Sequence, residues 1–286
     1  MKLCLFLLGI SCVLLMISTC VGQTTMVKED FSEHGVSIVL PDDPSYGSEV
    51  QKLGFSGTPS AERLRPFSVV VKNTSQRTIV AFGIRWTKRH SAGNVATDDG
   101  MYMQPHGLLD GGRVHYDRPL EAVIHPGASR LITIAGMVQT IAEFKTFSLH
   151  PLPDVSRWSI EKVELDSAVF DDGEAIGPDK LEVVKRLKAR VDAQQDLLEE
   201  VSNRVANGEL LHSVLQELQK TALSQAQPRT LTKLNPDDVY GLVRQQYLDE
   251  LAATETNVGE EAASRRIQQL KYVRRPTIRQ AMAGGK

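Results

Sequence analysis

The chain has very little cysteine, and all of it lies in the first 20 residues. Only three cysteines occur among 286 residues, namely Cys4, Cys12 and Cys20, and all three belong to an apolar N-terminal segment. A mature chain without that segment would have no disulfide, no thiolate metal site and no cysteine nucleophile. We therefore expect its stability to come from a hydrophobic core.

Strong net charge and familiar catalytic motifs are also missing. The net charge is −2 and gives no overall attraction to nucleic acid. No serine lies in a nucleophile-elbow context, and no glycine-rich loop could hold a phosphate. The composition, with 41% hydrophobic and 24% charged residues, is that of an ordinary globular protein with a sizeable core.

The N-terminal segment is typical of a secretory signal peptide covering residues 1–22. Lys2 precedes an apolar run from Leu3 to Ile17, and small or neutral residues follow it. The run has about 15 residues, fewer than the roughly 20 that span a bilayer, so cleavage and export are favoured over a membrane anchor. No later stretch predicts a transmembrane segment. The run before Cys20 resembles a bacterial lipoprotein cleavage box, which leaves lipidation of Cys20 as an alternative, although Thr19 is larger than that box favours.

Two β-rich runs between Arg65 and Thr87 predict the central hairpin of the fold. A polar connection, Lys72–Arg77, separates them. In the second run Val80, Phe82, Ile84 and Trp86 alternate with their neighbours, which predicts a strand with one face on the core.

Other segments of the N-terminal two thirds read as short strands and turns. The predicted strands are Val36–Leu40, Val114–Tyr116, Ala122–Ile124, Ser129–Ile134 and Trp158–Asp166, the last with a continuation or a return strand over Ser167–Phe170. His125–Ala128 predicts a type II turn. The polar, glycine-dotted stretch Lys88–Gly112 predicts a long connection that is either functional or loosely ordered.

This arrangement resembles the immunoglobulin-like modules of exported bacterial proteins. The resemblance covers residues 36–170, and the pattern that carries it consists of Val69, Val71, Asn73, Ser75, Ile79 and Phe82. It implies an all-β, antiparallel immunoglobulin-like sandwich over residues 31–177, followed by an α-helical C-terminal region. Such modules usually bind, space or present other molecules, although fold analogy alone does not settle function.

The period of the apolar residues changes after Pro178 and predicts a helical domain of about four helices over residues 178–273. Its first helix carries coiled-coil heptads, with a polar Gln194 at one d position; the other a and d residues are Val184, Leu187, Val191, Leu198, Val201 and Val205. Asn235-Pro236 predicts a helix start. The stripe favours packing within the chain, with self-association through the helical region as the alternative.

The C-terminus predicts a basic, flexible tail over residues 274–286. Seven basic residues and no acid follow Glu261: Arg265, Arg266, Lys271, Arg274, Arg275, Arg279 and Lys286. A solvated helix face with a frayed tail is favoured, and contact with an anionic surface is the alternative.

Two groups of polar residues have the residue types of a metal site, and neither has the spacing that predicts one. The histidines His90, His106 and His115 share a polar stretch with Asp98, Asp99 and Asp110, but their spacing favours solvated loop residues over metal ligands. The segment Asp171–Glu174 with Asp179 favours a turn and a helix cap over a calcium loop. Asn73-Thr74-Ser75 matches a glycosylation acceptor. We therefore predict no catalytic, cofactor-binding or metal-binding residues and no cofactor.

The sequence favours a binding or scaffolding protein of the cell envelope, periplasmic or extracellular, without evident catalysis. The alternative is a secreted hydrolase acting on cell-wall or polysaccharide material, which would need two carboxylates facing each other across a cleft. The ligand, the partner and the oligomeric state stay open at this point.

Overall fold

The computed structural model describes residues 26–55, 64–109, 123–134, 136–138, 157–225 and 236–281, and within them the chain forms ten strands and five helices. The strands are β1 (Val27–Glu29), β2 (Val36–Val39), β3 (Ser68–Asn73), β4 (Ile79–His90), β5 (Val95–Met103), β6 (Ser129–Thr133), β7 (Gly136–Val138), β8 (Trp158–Phe170), β9 (Glu174–Ile176) and β10 (Arg279–Gln280). The helices are α1 (Tyr46–Lys52), α2 (Val183–Ala206), α3 (Leu211–Gln225), α4 (Pro236–Val258) and α5 (Glu260–Leu270).

The strands form two sheets that share a core. The first sheet has the order β10-β9-β8-β4-β5, with β1 also on β8, and the second sheet has the order β2-β3-β6-β7. The largest apolar cluster joins inward residues of both sheets, including Ile38 and Val71 from the second sheet and Phe82, Trp86 and Phe170 from the first. Alternation along each strand thus builds one core between two sheets.

The predicted all-β antiparallel sandwich is wrong, because the first sheet is mixed and both outer faces carry helices. β1 runs parallel to β8, and β10 runs parallel to β9. Tyr46 and Val50 of α1 pack with Val70 and Leu131 on the outer face of the second sheet. Helix α2 covers the outer face of the first sheet. The result is a layered α and β fold.

The predicted central hairpin is also wrong. β3 belongs to the second sheet, where it pairs with β2 and β6, while β4 lies in the first sheet between β5 and β8. The polar connection is a corner between sheets, and Asn73 holds it. This fully buried side chain donates hydrogen bonds to the carbonyls of Arg77 (2.7 Å) and Ile124 (3.1 Å) and accepts one from the N–H of Ser75 (3.0 Å). A folded chain therefore does not present Asn73 for glycosylation.

The polar stretch predicted as a long connection contains a regular hairpin. β4 extends to His90, and β5 pairs with it from Val95 to Met103, with a hydrogen bond from the N–H of His90 to the carbonyl of Asn94 closing the turn (2.7 Å). The stretch looked like a loop because β5 is an edge strand whose alternate side chains are exposed to water. A solvated edge strand needs no apolar face.

Both faces of β4 are buried, although alternation predicted a single buried face. Phe82 and Ile84 face the second sheet, whereas Val80 and Ala81 pack with helix α2. A register shift between Ile79 and Ala81 moves Val80 away from the face that it shares with Phe82 in a regular strand. The central strand is thus packed between a sheet and a helix.

The C-terminal region forms the four helices α2–α5, which the helical periodicity had predicted. The heptad stripe of α2 is used within the chain, because Leu187 and Val191 pack on the first sheet while Leu198 and Val201 pack on the other helices. The polar d residue Gln194 is fully buried and donates a hydrogen bond to the carbonyl of Leu270 at the end of α5 (2.7 Å). The domain boundaries proposed from the sequence stay predictions.

The chain after α5 returns to the first sheet, in contrast to the predicted flexible tail. Arg279 and Gln280 form β10 beside β9, and the N–H of Arg279 donates to the carbonyl of Gly173 (2.8 Å). A Cβ atom on Gly173 would lie 2.1 Å from the carbonyl oxygen of Thr277, so this position requires glycine. Residues 282–286 lie outside the described chain.

Among the described residues, the helices are all too short or too polar to cross a membrane.

Candidate ligand-binding pocket

A pocket of about 280 Å³ opens on the outer face of the first sheet, beside the start of helix α2. Strands β1, β4 and β8 and the segments around Phe31 and Pro178 form its walls. Seven charged residues line it: the acids Glu29, Asp30, Glu33, Glu164 and Asp166 and the bases Arg85 and Lys180. Charges of both signs therefore meet in one concavity.

Strand alternation explains why these charges gather there. Arg85 follows the core residue Ile84 on β4, and it stands opposite Glu164 on β8. Glu164 and Asp166 flank Leu165, which points into the core between the sheets. The strict alternation of Trp158–Asp166 is visible in the sequence, but the partners on β1 and β4 are brought there only by the fold.

Arg85 is committed to an ion pair. Its Nε donates to Asp99 Oδ1 at 2.8 Å and its second terminal nitrogen donates to Asp99 Oδ2 at 3.3 Å. The hydrogen bonds that Arg85 donates to this carboxylate raise the pKa of the arginine. Asp99 is the residue opposite Arg85 on β5, so the pair holds the edge strand and orients the arginine.

Asp166 is a structural anchor for the segment that leads into helix α2. Its two carboxylate oxygens accept hydrogen bonds from the N–H groups of Lys180 and Leu181, each at 2.9 Å. The side chain is buried. Two backbone donors satisfy this buried charge, which explains why it is tolerated.

Asp30 and Lys28 close the free edge of β2. Asp30 Oδ2 accepts a hydrogen bond from the N–H of Ile38 (2.9 Å), and Lys28 Nζ donates to the carbonyl of Ile38 (2.7 Å). Burial alone would raise the pKa of Asp30, but the hydrogen bonds from Ile38 and Ser32 and the charge of Lys28 outweigh it, so this pKa is lowered. Asp30 therefore binds the backbone at the free edge of β2 as an ionised carboxylate.

Lys162 joins Glu29 and Glu164 at the pocket wall. Its Nζ lies 2.7 Å from Glu29 and 3.2 Å from Glu164. The hydrogen bond from Lys162 lowers the pKa of Glu29. The pKa values of Glu29 and Asp30 are thus both lowered, whereas a general acid needs a raised pKa.

Two charged residues at the rim of the pocket, Lys180 and Glu33, make few contacts with other charged side chains. Within the described chain Lys180 forms no ion pair, and the one basic side chain within ion-pair distance of Glu33 is the ring of His34, whose Nε2 lies 3.8 Å from Glu33 Oε1. Both side chains are largely exposed. One acid and one base are therefore available to a bound molecule.

The histidines weighed from the sequence do not come together. The ring of His90 lies edge-on against Trp158, with ring centres 4.8 Å apart, while His106 Nε2 lies 2.9 Å from the hydroxyl of Tyr247. His115 and Asp110 lie outside the described residues. In the described part of the chain, no three His, Cys, Asp or Glu side chains form a group that could hold a metal ion.

The acidic turn that was weighed as a calcium loop makes structural contacts. Arg77 lies between Asp172 (3.2 Å) and Glu174 (2.8 Å). Asp179 Oδ1 accepts a hydrogen bond from the N–H of Val184 in the first turn of α2 (3.1 Å), a capping contact that it makes from three residues before Glu182, the residue at the N-cap position. Burial raises the pKa of Asp179, but this group is outside the pocket lining.

No family model matches the chain, and no curated protein or solved structure matches it with significance.

Proposed function

We propose that the protein is exported to the cell envelope and acts there as a non-catalytic binding protein, with the pocket of the first sheet as its ligand site. The observation that carries the proposal is the mixed charge of the lining, in which Glu33 and Lys180 remain available. The ligand class that fits is a small solute with groups of both signs, such as an amino acid or a dipeptide. The volume of about 280 Å³ lies near the small end of the ~300–1,000 Å³ usual for ligand pockets.

The contacts of the remaining charges weigh against the alternative of a hydrolase. Asp166 holds backbone N–H groups, Asp30 caps an edge strand, and Arg85 is paired with Asp99. A glycoside hydrolase needs one carboxyl with a raised pKa beside a second carboxylate. The lowered pKa values of Glu29 and Asp30 do not fit that requirement.

Binding is tested by thermal unfolding of the purified protein with millimolar amino acids, dipeptides, amino sugars and uronic acids. A ligand at one hundred times its dissociation constant stabilises the folded state by about 2.7 kcal/mol. We expect a stabilising compound whose effect is lost in Glu33→Gln and Lys180→Gln. Lys220→Gln and Glu260→Gln, which make the same charge changes at exposed helix positions, should keep it.

A second arm separates binding from hydrolysis. The protein is incubated with cell-wall polysaccharide, and the release of reducing ends is measured. We expect no release; turnover that disappears in Asp30→Asn would support the hydrolase and contradict the proposal.

Export is tested by fractionation and by the mass of the mature chain. We expect removal of residues 1–22 and recovery outside the cytoplasm, with no change in Cys20→Ser. A lipid-modified N-terminal cysteine would instead support the alternative of a lipoprotein. Deletion of residues 2–22 should leave the protein inside the cell.

A further inference from the structure

Two arginines of helix α2 have no ion-pair partner among the described residues, although the other basic residues of the helix are paired. Lys185 lies 2.8 Å from Glu182, and Lys188 lies 2.5 Å from Asp192. Arg204, near the end of the helix, is paired with Glu209 and Glu217. Arg186 and Arg190, within the described chain, form neither an ion pair nor a side-chain hydrogen bond.

The two arginines stand together in a half-buried position. They are four residues apart, so they lie on the same face of the helix, one turn from each other. The Nε atom of each is buried without a hydrogen-bond acceptor. Burial lowers the pKa of Arg190, and the nearby charge of Arg186 acts in the same direction. Two adjacent arginines without an ion-pair partner in the described chain are costly to bury, because Glu182, which acts on Arg186 electrostatically, is already paired with Lys185. A bound anion would remove that cost.

Polar groups from two other elements lie beside this pair. Tyr247 on α4 acts electrostatically on Arg190, and its hydroxyl lies 2.9 Å from His106 Nε2. His106 belongs to the short 3-10 helix Pro105–Gly107, which Tyr272 fixes by donating a hydrogen bond to the carbonyl of Pro105 (2.5 Å). An imidazole and a phenol therefore join the arginines where helices meet the first sheet.

The acids of α2 are used elsewhere. Arg275 from the C-terminal segment lies 3.4 Å from Asp192, 2.5 Å from Asp196 and 3.7 Å from Glu199. Glu182, one turn before Arg186, feels the charge of that arginine but is paired with Lys185. Among the described residues, therefore, no acid forms an ion pair with the two arginines, while three acids of α2 contact Arg275.

We propose that Arg186 and Arg190, with His106 and Tyr247 beside them, form a binding site for a phosphate-bearing ligand. The guanidinium group has donors in a planar fork that matches phosphate oxygens, and it keeps its charge when partly buried. The site is separate from the pocket of the first sheet, with which it shares no lining residue. It goes beyond the proposed function, since it would exist whatever that pocket binds.

The test measures the effect of phosphate on thermal unfolding and its dissociation constant by titration calorimetry. The probes are inorganic phosphate and glycerol 3-phosphate, with chloride at matched ionic strength as the control anion. Arg186→Gln and Arg190→Gln, singly and together, are compared with Lys185→Gln and Lys188→Gln. All four changes remove one positive charge from the same part of the helix, but only the lysines are paired.

We expect the wild-type protein and both lysine variants to bind phosphate alike, and each arginine variant to bind it about tenfold or more weakly, the effect of losing a charged hydrogen bond. Without phosphate the arginine variants should unfold at no lower temperature than the wild type. Arg190→Lys keeps the charge without the fork and should bind with intermediate strength.

Three results would overturn the proposal: no phosphate effect beyond that of chloride, equal binding in arginine and lysine variants, or loss of binding in Lys180→Gln, which would place the anion in the other pocket. Cosedimentation with phosphatidylglycerol vesicles identifies the source of the phosphate. Binding to glycerol 3-phosphate but not to vesicles indicates a free solute, and binding to both indicates a lipid headgroup.

Discussion

Replacement of Gly83 by alanine tests the packing of helix α2 on the central strand. A Cβ atom at this position would lie 2.8 Å from Val183 Cγ2 and 3.3 Å from Leu181 Cδ1. Contacts that close force the helix or the strand to move, and overpacking of this kind costs about 1–3 kcal/mol. In a strand without that neighbour, the same change would stabilise the fold by roughly 0.5–1 kcal/mol. A destabilising Gly83→Ala therefore indicates that α2 packs directly on the strand, and a stabilising one indicates that it does not.

The assay is urea unfolding of the purified protein, with the midpoint and the slope compared between variants. Val183→Ala removes the atom that the new methyl group meets, and alone it should cost about 1–3 kcal/mol, since Val183 is fully buried. In Gly83→Ala/Val183→Ala the methyl group finds room. We expect the double variant to be more stable than the sum of the single effects predicts, with a coupling of about 0.5–3 kcal/mol.

Gly47→Ala is the control, because a Cβ atom there meets nothing within 4 Å and the residue lies in helix α1. It should stabilise the protein by about 0.5–1 kcal/mol. If Gly83→Ala stabilises the protein, or if the single effects simply add in the double variant, then α2 does not pack directly on β4 at this position.

Three further predictions concern contacts that hold the fold. Asp30→Asn should cost about 1–2 kcal/mol of unfolding free energy near neutral pH. Because the pKa of Asp30 is lowered in the folded state, the stabilisation by this carboxylate is present above its unfolded pKa of about 3.9 and is lost at lower pH. The urea midpoints of variant and wild type should therefore converge in acid. Arg275→Gln, which removes the contacts to the acids of α2, should speed amide hydrogen exchange in residues 272–281, whereas Arg279→Gln should not; equal exchange in both would contradict the clamp. Asn73→Ala should cost about 1–3 kcal/mol in the same urea assay, because it removes the two hydrogen bonds that this buried amide donates to the carbonyls of Arg77 and Ile124, each of which keeps one other donor. A loss below about 0.5 kcal/mol would contradict its role at the corner.

Local signals in the sequence predicted several elements well. His125–Ala128 forms the expected turn, with a hydrogen bond from the N–H of Ala128 to the carbonyl of His125 (3.0 Å) and a left-handed Gly127. Helix α4 begins at Pro236, and α2 ends beside Asn207-Gly208. Ser167–Phe170 continues strand β8. Such turns and helix ends depend on residues that are adjacent in the sequence, so they can be predicted without knowledge of the fold.

Pairing between distant segments was not predictable in the same way. Asn73–Arg77 has the composition of a hairpin turn, yet the buried amide of Asn73 makes it a corner between sheets. The parallel strands β1 and β10 are three and two residues long and contain charged residues, so no hydrophobic periodicity predicts them. The candidate pocket depends on β1, β4 and β8 together, and for that reason its residues were missed.

Composition and spacing alone predict the strands with strong alternation, the helical periodicity after Pro178 and the lack of cysteine beyond residue 20. The pairing of strands and the ion-pair partner of each charged side chain depend instead on the folded arrangement of distant segments. Arg275 lies in a run of basic residues but contacts the acids of α2, whereas Arg186 and Arg190, on the same helix, form no ion pair within the part of the chain that the structure describes. Electrostatic pairing depends on distance in space, and the order of residues along the chain does not fix that distance.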